Sequence, residues 1–191
     1  MGGVLIDFNF QRTMNEVFPE KYHEILKDKV FSSALWKDLD RGTVKAEDAI
    51  KKILPEIPEE IRGIVGEMVY DFYPYMPPFK NMYPFIERIK KAGYNVYLLS
   101  NATPRFFDRY LDIPAISLMD GLFVSCVYNL LKPEKEIYEA FCNKFSLIPE
   151  ECFFIDNTAK NKTLICFIAI ILLFQILVPQ LTARGRYIAA K

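Results

Sequence analysis

The 191 residues suffice for one ordinary domain with an insertion. Hydrophobic residues make up 51% and charged residues 25%, which excludes general disorder. Lys+Arg and Asp+Glu both number 24, so a net charge of zero gives no electrostatic case for nucleic acid or an anionic membrane surface. Cys126, Cys142, Cys152 and Cys166 form no Cys-x-x-Cys pair, and His23 is the only histidine. That pattern argues against structural zinc and for scattered buried thiols in a reducing compartment. Met1-Gly2-Gly3 lacks the basic start of a signal peptide, and Asp7 cuts the first apolar run short.

Val4-Leu5-Ile6 is too brief for a central strand. From Asn9 to Tyr75 the pattern is helical. Pro19 marks a helix start. Ala46, Ala49, Ile50, Ile53 and Leu54 recur at helical spacing until Pro55. A further helix opens at Pro58, with Ile61, Ile64, Val65, Met68, Val69 and Phe72 in one stripe. The proline-rich stretch Tyr73 to Phe79 marks a boundary.

Beyond it, helix and strand alternate. A helix through Tyr83, Phe85, Ile86 and Ile89 is stopped by Gly93. Val96 to Leu99 reads as a strand, Arg105 to Leu111 as a short helix, and Leu122 to Ser125 as a second strand. Pro133 starts another helix, and Cys152 to Ile155 reads as a third strand. This alternation predicts an α/β fold, a doubly wound, Rossmann-like parallel sheet core carrying an inserted all-helical cap. The expected division is 1–8 and 80–162 for the core, 9–79 for the cap, and 163–191 for an apolar and basic tail.

Three polar points stand out: Ser100-Asn101, Lys132-Pro133 and Asp156-Asn157. Two of them end apolar strands and the third precedes a helix, so a parallel sheet can bring all three to one edge. A hydroxyl can hold a phosphoryl oxygen, a lysine can neutralise developing charge, and a carboxylate can fix Mg²⁺. Each also has a plainer reading: a loop start, a solvated lysine, and a turn or helix cap.

In that order and spacing the chain resembles the haloacid dehalogenase superfamily of hydrolases. Residues 91–101 look like its second motif, Leu131 to Tyr138 like the third, and Cys152 to Asp156 like the fourth. Asp120-Gly121 and Ser125 also fit the pattern. Residues 36–42 and the helices after them look like the cap of the branch with sugar-phosphate phosphatases and the phosphatase half of epoxide hydrolases. The resemblance implies a Mg²⁺-dependent phosphatase of a small phosphorylated metabolite, with a sugar phosphate favoured, acting through an aspartyl-phosphate. Ser100 would bind a phosphoryl oxygen with Asn101 beside it. Lys132 would bridge nucleophile and phosphoryl group, and Asp156 with Asn157 would hold Mg²⁺. The resemblance leaves dehalogenation as a further option within the enzyme class. The competing reading is a catalytically silent remnant that binds phosphate or a partner, or a fragmentary gene product.

Three departures qualify that expectation. Gly2 to Asp7 resembles the segment just after the family's nucleophilic Asp, so the first strand and its Asp read as missing and the chain as inactive. The flanking strands would then lack backbone partners. The rival reading makes Asp7 the nucleophile at the end of Val4-Leu5-Ile6. Asn157 stands where this branch has a second acid, which should weaken Mg²⁺ binding. The resemblance ends near Lys162, and Leu164 to Val178 is almost wholly apolar. That run reads as a frame change, a membrane anchor or an odd core element. The expected location is cytoplasmic, with anchoring through 164–178 as the alternative.

Overall fold

The computed structural model describes residues 1–157 and the backbone of residues 187–190. The apolar run 164–178 and Cys166 lie outside the described residues. The chain opens with a tight turn in which the amides of Val4 and Leu5 donate to the Met1 carbonyl at 3.1 and 2.8 Å. Val4-Leu5-Ile6 is therefore not a strand. It makes only isolated bridges, Gly2 with Ile6 and Ile6 with Pro78.

A helical layer comes next. Helix α1 (Phe10–Val17) is capped by the Asn9 side chain, which accepts from the Arg12 amide. After a 3₁₀ turn at Glu20–Tyr22 come α2 (His23–Leu26) and a wider π turn over Lys27–Phe31. Helix α3 (Ala34–Arg41) is capped by Ser33 at its start and by Gly42 in the left-handed region, φ 77°, at its end. Gly42 could carry no side chain in any case, because a Cβ there would strike the backbone of Cys126. Helix α4 (Ala46–Ile53) and helix α5 (Arg62–Tyr70) complete the layer. The stripe expected after Pro58 starts as a 3₁₀ turn at Glu59–Ile61 before becoming α-helical. Met14, Leu26, Leu39, Ile53, Val65, Met68 and Phe72 form the core of this layer.

The second part is an α/β sandwich. Helix α6 (Met82–Lys91) leads through Gly93, φ 88°, into strand β1 (Asn95–Ser100). Then come α7 (Phe106–Arg109), β2 (Gly121–Val124), α8 (Ser125–Tyr128), α9 (Lys135–Phe145) and β3 (Cys152–Ile155). Side chains alternate across the sheet as the strand repeat requires. Val96, Leu98 and Val124 pack with Ile86, Phe106 and Ile116 on one face. Leu99 and Phe123 pack with Ile137, Phe141 and Leu147 on the other.

The sheet has four strands in the order β2-β1-β4-β3, with every pair parallel. Strand β4 is Tyr187–Ala190, from the far end of the sequence. Its residue Tyr187 lies opposite both Asn95 and Cys152, and Ala190 lies opposite both Leu98 and Ile155. This corrects the expectation that β1 and β3 would lack backbone partners on their inner sides. A short apolar segment within residues 163–191, read as tail, holds the position between them.

Candidate active site

The polar points gather at the carboxyl edge of this sheet. Strand β1 delivers Ser100 and, one residue on, Asn101; β3 delivers Asp156 just past Ile155. Lys132 arrives from the turn before α9, where the Lys132–Pro133 peptide is cis. The helix itself starts at Lys135 rather than at Pro133, because Glu134 keeps an extended backbone, φ −58° and ψ 137°.

Asn101 holds Lys132 from both sides. Its amide nitrogen donates to the Lys132 carbonyl at 3.1 Å, and its carbonyl oxygen accepts from the Lys132 amide at 2.9 Å. The Lys132 ammonium donates to the Leu99 carbonyl at 2.8 Å and lies 3.4 Å from an Asp156 carboxylate oxygen. Neither of these two side chains has any exposed surface. A buried charge survives only when paired and hydrogen-bonded, so this ammonium and carboxylate stabilise each other. The Phe154 ring, 5.8 Å from the ammonium, walls the group on one side. Tyr138 stands near enough for the Asp156 charge to act on its hydroxyl. Burial first, and then that charge, push its pKa well up, so it stays protonated.

Ser100 is buried beside this group. Its hydroxyl donates to the Asn101 carbonyl at 3.2 Å. Asn157 packs under the opening turn. Gly3, φ 74°, presses its backbone against the Asn157 amide so closely that a Cβ would collide with it. Asp7 is held elsewhere in the contact network: it forms an ion pair with Arg12, and its amide donates to the Pro77 carbonyl at 2.8 Å. Asn101, Lys132 and Asp156 thus form one hydrogen-bonded group, with Ser100 and Asn157 beside it in sequence and Asp7 on a different set of partners.

Several partners could not be read from the sequence. Ser125 accepts from the Ala102 amide at 2.9 Å and donates to the Asp40 carbonyl of the helical layer. Asp120 accepts from the Val96 amide at 2.6 Å and pairs with Lys90, which fixes the start of β1. Among the described residues the thiols offer no ready nucleophile. Burial pushes Cys126 and Cys152 up to about 11, so both are protonated at neutral pH.

The donor chemistry at Asp156-Asn157 fits a hard cation. One carboxylate and an amide oxygen are the donor types Mg²⁺ takes, with water and substrate phosphate completing its shell. Among the described residues no group of three His, Cys, Asp or Glu side chains is placed to hold a metal. Also among the described residues, no helix is long and apolar enough to cross a membrane.

Comparison with known proteins agrees with this architecture. The chain is 24% identical over 168 residues to a sesquiterpene phosphatase, astK, of Aspergillus oryzae, covering 84% of this chain and 79% of that protein. A solved haloacid dehalogenase family enzyme from Bacteroides thetaiotaomicron, in complex with magnesium and inorganic phosphate, superposes with a TM-score of 0.66 at 15% identity, over 88% of this chain and 87% of that one. A predicted hydrolase of the same family from Porphyromonas gingivalis gives 0.60 at 17% identity, over 86% and 82%. The family described as haloacid dehalogenase-like hydrolase matches residues 1–161. The chain belongs to the haloacid dehalogenase-like hydrolases.

Proposed function

We propose that the site at the carboxyl edge binds the phosphoryl group of a small phosphorylated metabolite, as in a Mg²⁺-dependent phosphatase. The observation that carries this reading is the wholly buried Lys132–Asp156 pair, clamped through Asn101 at the ends of parallel strands. In this reading Ser100 and the neighbouring backbone amides bind phosphoryl oxygens, and Lys132 neutralises the charge they carry. Asp156 and Asn157 hold Mg²⁺, which when bound polarises the phosphoryl group. Residues 9–79 act as the cap and residues 80–157 carry the site. A substrate reaches Lys132 and Asp156 only when the covering residues move, since both side chains are sealed.

Turnover should be weak. Among the described residues, the strand between β1 and β3 reads Tyr-Ile-Ala-Ala, with no carboxylate side chain. Asp7 is engaged by Arg12. A sugar phosphate is the favoured substrate class, and the similarity to a sesquiterpene phosphatase adds isoprenoid phosphates as a second class. The experiment is phosphate release from a panel of sugar phosphates, isoprenoid phosphates and a chromogenic aryl phosphate, with and without Mg²⁺. Release at or near background, together with Mg²⁺-dependent binding of orthophosphate, is the expected result. Robust turnover abolished by Asp7→Asn would instead make Asp7 the nucleophile.

A further inference from the structure

The turn that carries Lys132 is tied to the helical layer as well as to the sheet. Arg41, the last residue of α3, grips Glu134 with both terminal guanidinium nitrogens; the Nη1 to Oε2 distance is 3.0 Å. The same Nη1 donates to the Asn129 carbonyl at 3.1 Å, and the Asn129 amide returns a bond to the Arg41 carbonyl at 2.9 Å. On the other side of the pair, Glu134 closes the lysine turn upon itself. Its Oε2 accepts from the Leu131 amide at 3.0 Å, and its own amide donates to the Leu131 carbonyl at 2.8 Å. One carboxylate therefore joins the end of α3 to the four-residue turn Leu131-Lys132-Pro133-Glu134.

We propose that Arg41 and Glu134 are a positioning pair that aligns Lys132 by tying its turn to the end of α3. This rests on the phosphoryl-site reading above. The pair acts on Lys132 through the turn rather than on its ammonium. Without the guanidinium the turn loses its anchor to α3, while its two internal bonds and the Asn101 clamp stay. The bidentate contact thus lets the helical layer hold the lysine's turn in place.

A solvated ion pair would do little of this, because exposed pairs contribute little. This one differs in geometry. It is bidentate, its side chains are only 30% and 34% exposed, and its carboxylate is shared with a backbone amide. The Arg41 hydrogen bond also holds the Glu134 carboxyl below its ordinary range, so it stays ionised at neutral pH. The flanking Ser125–Asp40 contact keeps α3 in register with the sheet if the pair alone is cut.

The test is amide hydrogen exchange on the full chain, wild type against Arg41→Ala and Arg41→Lys. Leu131 and Lys132 should exchange about tenfold faster in R41A, the loss expected for one charge-assisted anchor, with R41K in between. Leu98 and Phe123, deep in the sheet, should be unchanged, which separates a loosened turn from a damaged fold. Orthophosphate affinity with Mg²⁺ should fall alongside. Should R41A not fold, R41K carries the comparison. Unchanged protection of Lys132 in the folded variants would overturn the proposal. Exchange needs no ligand, so an absence of phosphate binding by the wild type would count against the phosphoryl-site reading alone.

Discussion

Lys132→Met is expected to cost roughly 3–5 kcal/mol of stability and to remove orthophosphate binding. The side chain it replaces is fully buried, donates to the Leu99 carbonyl and faces the Asp156 carboxylate at 3.4 Å. Methionine fills similar volume, so the loss is electrostatic rather than a cavity. It strips a cation from a buried carboxylate and a donor from a buried carbonyl. Equilibrium urea unfolding of both proteins measures the first effect. A change below about 1 kcal/mol would show that the pair is not the buried ionic contact described here, since that is the scale of a solvated ion pair.

Ala189→Pro is the second large effect. Ala189 lies opposite Tyr97 on one side and Phe154 on the other, in the strand that joins β1 to β3. A proline there has no N–H for the ladder and is normally confined to edge strands. The expected cost is roughly 3 kcal/mol or more, enough to unfold a protein of ordinary stability. The informative control is Ile148→Pro, in an exposed segment before β3, which should cost far less. If both prolines are equally tolerated, residues 187–190 do not hold the middle of the sheet in solution.

These two residues also mark what could and could not be read from the sequence. Strands β1 and β3 announce themselves as apolar runs that stop at polar residues, and the distance along the chain leaves room for crossover helices between them. Lys132 is legible because Pro133 signals a helix start just beyond it. Strand β4 is not legible. Tyr-Ile-Ala-Ala carries two alanines, which favour strands little, and it comes after a basic stretch, so nothing local selects it. Its place is decided by two strand edges far away in the sequence. The Arg41–Glu134 contact is hidden for the same reason, since its partners are 93 positions apart. The α-helices begin a few residues beyond Pro19, Pro58 and Pro133. In each case the proline opens a 3₁₀ or extended turn before the α-helical ladder begins.

The central claim is that the Lys132–Asp156 edge is a Mg²⁺-assisted phosphoryl site. Its most direct measurement is a ³¹P NMR titration of orthophosphate with the full chain, with and without Mg²⁺, for the wild type and Asp156→Asn. Saturable binding that requires Mg²⁺ and weakens at least about tenfold in D156N is predicted, the scale of losing one charged ligand or partner. Equal binding by a folded D156N, or binding indifferent to Mg²⁺, would contradict it.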